Sequence, residues 1–219
     1  MKQLTSTSFT VLGLLSVQPY SAYGLARQMK RSLHYIWPRA ERAIYDEPKN
    51  LVAHGLATAE PEIARGRRRT VYTITAAGRR ALREWLGGPC EPPMFESEAL
   101  VRAMFAEQGS KEDLLAAVRS LREHASAMHD EAVAVSRSYV EGPNPFPQRM
   151  HINALVGRFV LEYIGMLERW SAWAETEVQQ WPNTADPSVF PAALEVYRDF
   201  LAGLQAGPAH PGDPGKRVR

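Results

Sequence analysis

The chain has 219 residues, 45% of them hydrophobic, and a single cysteine, which is enough length for one or two domains with a real core and no disulfide or metal staples. Its 26 Lys or Arg against 24 Asp or Glu give a net charge of only +2, which taken whole argues against a polyanion partner. No run of about 18 apolar residues suggests a membrane span; the opening MKQLTSTSFTVLGLLSVQP lacks a signal-peptide cleavage pattern, and a lone Cys90 fits a reducing compartment, so a cytoplasmic protein is expected.

The charge changes meaning when the chain is divided. Residues 1–88 hold 14 basic and 6 acidic side chains, a net of +8, whereas 89–210 hold 9 and 17, a net of −8, and the last nine residues add +2. The break lies at Gly87-Gly88-Pro89, a turn-rich stretch that predicts a boundary between a basic unit, 1–88, and a helical unit, 89–205.

Within the basic unit, Ser8 to Ser16 carries Val11, Leu12, Leu14 and Leu15 and predicts a short buried helix. Ser21 is positioned to cap a second helix with Leu25, Ala26, Met29 and Leu33 inward and Arg27, Lys30 and Arg31 outward. A third helix is expected from Pro38 to about His54, with Ala40, Ala43, Ile44 and Leu51 inside and Gly55 just past its end. Its outer side reads Arg39, Arg42, Asp46 and Lys49, with Tyr45 alongside. Two strands follow, Leu56 to Glu60 and Thr70 to Thr75, and Arg65-Gly66-Arg67-Arg68-Arg69 falls at the hairpin tip between them. Thr75 is placed to cap a fourth helix, Ala76 to Leu86, with Ala77, Ala81, Leu82 and Trp85 inward.

Three helices, a hairpin and a helix are the order of a winged helix-turn-helix, in which the third helix enters the major groove and the wing touches backbone or minor groove. Arg39 and Arg42 offer the bidentate fork that suits guanine edges, while the wing arginines Arg65, Arg67, Arg68 and Arg69 suit phosphates. A charged helix face is more often merely solvated; four like charges at one tip are more telling, because they repel until a counter-charge arrives.

Leu12-Gly13-Leu14-Leu15, Tyr23-Gly24, Ala43-Ile44-Tyr45, Gly55-Leu56, and Gly66-Arg67-Arg68-Arg69 leading into Tyr72-Thr73-Ile74-Thr75-Ala76-Ala77-Gly78 together resemble the PadR family of transcriptional regulators over residues 8–86. The resemblance implies a homodimeric bacterial regulator, usually a repressor, on a pseudo-palindromic operator in double-stranded DNA. It places the third helix in the groove, Tyr45 near the backbone and the wing on DNA. The sequence departs from the family in Arg39-Ala40-Glu41-Arg42-Ala43, where small polar residues are common, and in Pro48, which should kink the third helix or restrict pairing near residue 44. Glu41, Asp46 and Glu47 could accept from cytosine, but pairing with Arg42 or Lys49 is the preferred reading.

In the acidic unit, Phe95 to Ala106 predicts a helix, and Ser110 with Asp113 caps a long one from Lys111 to about Glu141. Leu114, Val118, Leu121, Ala125, Met128, Ala132, Val135 and Tyr139 step by four and three along it, a heptad seam. After the Gly142 to Pro147 break, a second long helix, Gln148 to Gln180, carries a wider stripe: Ile152, Leu155, Val156, Phe159, Val160, Tyr163, Met166, Leu167, Trp170 and Trp173. Such width suggests burial both inside the protomer and across a dimer. Residues 95–180 are similar to the helical dimerisation domain of PadR regulators that resemble virulence activators. Leu114, Val118, Leu121, Met128, Val135, Phe159, Val160 and Tyr163 are the expected dimerisation residues. Tyr163, Met166, Trp170 and Trp173 could also line a pocket for a small aromatic or hydrophobic effector, although an aromatic stripe is more often core. Pro191 to Leu204 should pack back on this unit, and 206–219 reads as a disordered tail.

No enzymatic constellation stands out: His124 and His129 are five apart and do not share a helix face, and neither a phosphate loop nor a zinc spacing is present, so no cofactor is expected. The fold class expected is mainly α, a winged helix-turn-helix followed by an all-α dimerisation domain. The competing function is a winged helix that docks proteins, with coiled-coil helices and no DNA target; the wing arginines discriminate, since protein docking has no evident use for them.

Overall fold

A computed structural model describes residues 2–38, 44–64, 66–143 and 146–205. They form two compact units, one drawn from Met1–Phe95 and Val133–Val160, the other from Glu96–Ala132 and Leu161–Arg219.

The first unit is a winged helix. Helix α1 spans Ser6–Val17, strand β1 Tyr20–Ser21, helix α2 Ala22–Ser32 and helix α3 Glu47–Ala53; strands β2, Ala57–Ala64, and β3, Arg67–Ile74, lead into helix α4, Ala76–Leu86. Its core is continuous: Val11, Leu12 and Leu15 of α1, Leu25 and Met29 of α2, Ile44, Leu51 of α3, and Leu56, Tyr72 and Ile74 are all buried together. The capping predictions hold for Ser21, whose hydroxyl accepts from the Gly24 amide at 3.2 Å, and for Thr75, which accepts from the Gly78 amide at 3.0 Å.

The sheet is larger than expected. The two-residue β1 joins it, giving the antiparallel order β1-β3-β2, with Tyr20 opposite Tyr72. The hairpin strands are longer too, pairing from Ala57 with Ile74 out to Ala64 with Arg67. Pro61 is tolerated because β2 is an edge strand and can leave one donor out of the ladder.

The third helix is corrected in its described part. Ile44 to Asp46 form a turn and α3 begins at Glu47, so Pro48 falls in the first turn, where a backbone N–H has no helical partner to lose. The first α-type bond runs from the Asn50 amide to the Asp46 carbonyl at 3.1 Å, and the expected kink does not arise. At the other end Gly55 is left-handed, φ 68°, while its amide donates to Val52 and that of Leu56 to Leu51, each at 2.9 Å. That pair of bonds is a Schellman ending, which requires the conformation glycine adopts most cheaply. Trp85, expected inward, stays exposed and stacks on Phe9 with centroids 5.2 Å apart.

In the second unit a short helix α5, Glu98–Met104, precedes the long helices α6, Lys111–Glu141, and α7, Met150–Gln180, which also extend into the first unit. Ser110 caps α6 as expected: its hydroxyl accepts from the Asp113 amide at 3.0 Å, while its own amide donates back to the Asp113 carboxylate at 3.0 Å. Leu114, Leu115 and Val118 of α6 cluster with Ala174 and Val178 of α7. Lys111 Nζ donates to the carbonyls of Gln179 and Trp181 at 2.8 and 2.6 Å, and Arg119 and Arg122 share Glu175 at 2.7 and 3.0 Å. The two helices are therefore antiparallel here.

Helix α8, Phe190–Gln205, follows a 3-10 turn, Pro187–Val189. Packing of this segment back on the unit is not what is found: Val196, Tyr197, Phe200 and Leu201 all stay exposed in the protomer. The expected tail, 206–219, lies outside the described residues.

Candidate nucleic-acid interface

The start of α3 separates an inner from an outer surface residue by residue. Ile44, Glu47 and Leu51 are 1% exposed or less, whereas Tyr45 between them is 55% exposed. Lys49 Nζ lies 3.6 Å from the Asp46 carboxylate, and both side chains are mostly in solvent, so the pair is a weak tether that leaves the cation available. Arg39 and Arg42 fall outside the described residues.

Glu47 is not available to a base. Its carboxylate is buried and accepts from Ser8 Oγ at 2.7 Å, Lys2 Nζ at 2.8 Å and Asn50 Nδ2 at 3.4 Å. Intramolecular pairing is thus its role, but with Lys2 and Ser8 rather than with Lys49. Burial pushes its pKa up; the hydrogen bonds from Lys2, Ser8 and Asn50 outweigh that and hold it below the ordinary 4.5. A carboxyl with a depressed folded pKa stabilises the fold above the unfolded value and loses that contribution as pH falls through the folded one. Asp113, held low by the Ser110 hydroxyl, and Glu175, held low by Arg119, act in the same direction. The expected result is that stability drops on acidification below about pH 4.5 and drops less steeply in Glu47→Gln. Urea midpoints at pH 7 and at pH 3.5 to 4 measure it, and equal acid losses in both proteins would refute the assignment.

The wing differs from the expected tip. Gly66, φ 75°, makes the turn, and Arg67, Arg68 and Arg69 belong to β3 itself. Alternation along a strand places Arg68 on the face of Tyr72 and Ile74 and Arg69 on the opposite one with Val71 and Thr73. Arg69 is paired across the ladder with Glu62, Nε to Oε2 2.9 Å. Arg68 is exposed and has no ion pair among the described residues. Arg65 lies outside them. Arg27, Arg31 and Arg69 line one open groove between α2 and the wing, which Glu60 and Glu62 also line. Arg31 is further engaged by Ser138 Oγ, at 3.3 Å, and lies over the Tyr139 ring.

The expected dimerisation residues divide in two. Leu114, Val118 and Met128 are buried within the protomer, and Leu121, Val135, Val160 and Tyr163 are partly so. Phe159 is 66% and Leu155 75% exposed. Along α7 the buried series is Ile164, Leu167, Ser171, Ala174 and Val178, while Ile152, Phe159, Met166 and Trp173, seven apart, are exposed. Of the proposed pocket residues, Trp170 packs on the Leu114 cluster, Met166 and Trp173 face solvent, and Tyr163 is half-buried, which raises its phenol pKa.

Helices α1 to α3, the three-stranded sheet and α4 define a winged-helix protein with a mainly helical remainder. Residues 11–84 match the Transcriptional regulator PadR-like family, so the chain carries a PadR-like domain. The fold of the larger part of the chain is shared with a PadR-like transcriptional regulator from Bacillus cereus, at TM-score 0.67 and 16% identity over 79% of this chain and 98% of the other. It is shared with Bacillus subtilis PadR, solved in complex with operator DNA, at 0.61 and 20% over 78% and 99%, and with p-coumaric acid, at 0.62 and 21% over 80% and 100%. The Vibrio cholerae virulence activator AphA is similar at 0.62 and 22% over 79% and 98%. No curated protein sequence matches the chain. Among the described residues no helix is long and apolar enough to cross a membrane.

Proposed function

We propose that this protein is a cytoplasmic, homodimeric transcriptional regulator, a repressor in its basic action, which reads a pseudo-palindromic operator with its third helix and holds phosphates with its wing. The observation that carries the reading is the exposed Tyr45 and Lys49 set over buried Ile44, Glu47 and Leu51, in a PadR-like domain whose wing strand bears consecutive arginines. Arg39 and Arg42 are the proposed base readers and Arg65, Arg67, Arg68 and Arg69 the phosphate contacts. That Bacillus subtilis PadR was solved on operator DNA supports the same use of this fold. Fluorescence anisotropy with labelled duplexes from the DNA flanking the gene tests it: affinity on the order of 10⁻⁸ M or tighter is expected at a palindromic site, falling steeply with salt. Equal, salt-insensitive and weak binding to every duplex would defeat it and favour the protein-docking alternative.

The exposed apolar row of α7 is the proposed dimer surface, since the seam of α6 is already buried or half-buried inside the protomer. Leu155→Glu with Phe159→Glu is expected to convert a dimer to a monomer in light scattering while leaving the far-ultraviolet helix signal intact; a variant that stays dimeric removes the row from the interface. A small aromatic effector is proposed by analogy with the p-coumaric acid complex, with Tyr163, Met166, Trp170 and Trp173 as its reporters. Tryptophan fluorescence across a panel of phenolic acids should show saturable change.

A further inference from the structure

The chain on either side of residues 39–43 is tied to adjacent positions on α1. Before it, Trp37 Nε1 donates to Thr7 Oγ1 at 3.1 Å. After it, Ser8 Oγ donates to the buried Glu47 carboxylate at 2.7 Å, and Lys2 Nζ donates to the other oxygen at 2.8 Å. Ser8 Oγ is itself oriented by the Thr5 amide, at 3.0 Å. At the far end of α3, the ring of His54 donates from Nε2 to the Lys2 carbonyl oxygen at 2.8 Å. Lys2 therefore meets both ends of α3, its ammonium at the first residue and its carbonyl at the cap.

A buried carboxylate is an expensive way to join two helices if stability is all that matters, because apolar groups of similar shape would avoid the desolvation. What it adds is direction. An apolar contact between α1 and α3 tolerates sliding, whereas a carboxylate with three donors is satisfied in only one placement. We propose that Lys2, Ser8 and Glu47 form a positioning latch that sets α3 in register for base reading. The latch rests on the DNA-reading function proposed above. Lys2 is its accessible member, 64% exposed against 1% for Glu47, so the operator affinity of the protein is controlled from a residue remote in sequence from the reading segment.

Lys2→Met and Lys2→Arg in the full chain test the latch. The probes are the tightest duplex that the wild-type protein selects from a random-sequence pool, and a shuffled duplex of the same composition. Losing a hydrogen bond to a charged group should lower the selected-to-shuffled affinity ratio about tenfold in Lys2→Met, with shuffled binding nearly unchanged and the ratio retained in Lys2→Arg. A role in stability alone would scale both affinities together by reducing the active fraction. Hydrogen exchange supplies a readout independent of DNA: amides of 47–54 should exchange faster in Lys2→Met, and those of 76–86 should not. An unchanged ratio, or unchanged exchange in 47–54, overturns the latch. A wild-type protein that selects no sequence overturns the DNA-reading function instead, and exchange still decides the latch.

Discussion

Gly78→Ala is expected to destabilise the protein by about 3 kcal/mol or more, a large part of the roughly 5 to 15 kcal/mol that holds a typical domain together. In an exposed helix the same change would stabilise by nearly 1 kcal/mol, because alanine is the better helix former. Position decides the sign. A Cβ on Gly78 would lie 2.1 Å from the Leu56 carbonyl oxygen and 2.9 Å from a side-chain carbon of Ile74. That carbonyl cannot swing aside, since it accepts the Thr75 amide at 3.0 Å and belongs to the backbone that follows the Schellman ending of α3. Relief would have to come from lifting the first turn of α4 off the sheet, which opens the core at Ala77 and Ala81. Equilibrium urea unfolding measures the change, and a midpoint equal to or above that of the wild type would show that the close approach is not as described.

Replacing Arg67, Arg68 and Arg69 together by Ala is expected to weaken binding to every duplex and to leave the ratio between sequences nearly unchanged. Each neutralised phosphate contributes about 0.9 to the slope of log affinity against log salt; with Arg69 already paired to Glu62, the four contacts of Arg67 and Arg68 in a dimer would remove about 4 from it. A fourfold rise in salt would then cost the variant on the order of a hundredfold less affinity than it costs the wild type. Arg42→Ala should do the opposite, relaxing discrimination at one base step by about 1–3 kcal/mol with little change in slope. Titrations at several salt concentrations separate the two, and an unaltered slope in the triple variant would remove the wing from the interface.

The parts readable from sequence are those where one local rule acts without competition. Thr75, Ser21 and Ser110 were legible as caps because a hydroxyl just ahead of an amphipathic run has one common use. The α6 seam follows from spacing alone: Leu114, Val118, Ala125 and Met128 are buried and the rest of it is half-buried. Glu47 was misassigned because its neighbours Asp46 and Lys49 do face water, and helical spacing carries no information that Lys2 and Ser8 would fold against it. Pro48 was read as an interior kink because the start of α3 depends on a turn at Ile44 to Asp46 that has no Gly or Asn to mark it. The strand β1 is two residues long, too short for any alternation to show. On α7, the stripe drawn through the bulkiest apolar side chains caught Leu167 but passed over Ile164, Val178 and the small Ser171 and Ala174, which complete the buried series.

The ion pair between Arg69 and Glu62 gives the wing an internal substitute for the phosphate it is proposed to hold. Engaging DNA there exchanges one anion for another on the same guanidinium, and because Glu62 keeps its negative charge beside the phosphate, few of the cations condensed on the DNA are released and little entropy is gained. What is released is the glutamate, now next to a polyanion. Arg68 carries no such competitor among the described residues, and the two neighbours should therefore differ as electrolytes: one responsive to ionic strength, the other nearly silent. On the proposed function, the acidic edge of the wing acts as a brake on indiscriminate adhesion, which a protein searching a long duplex for one site requires.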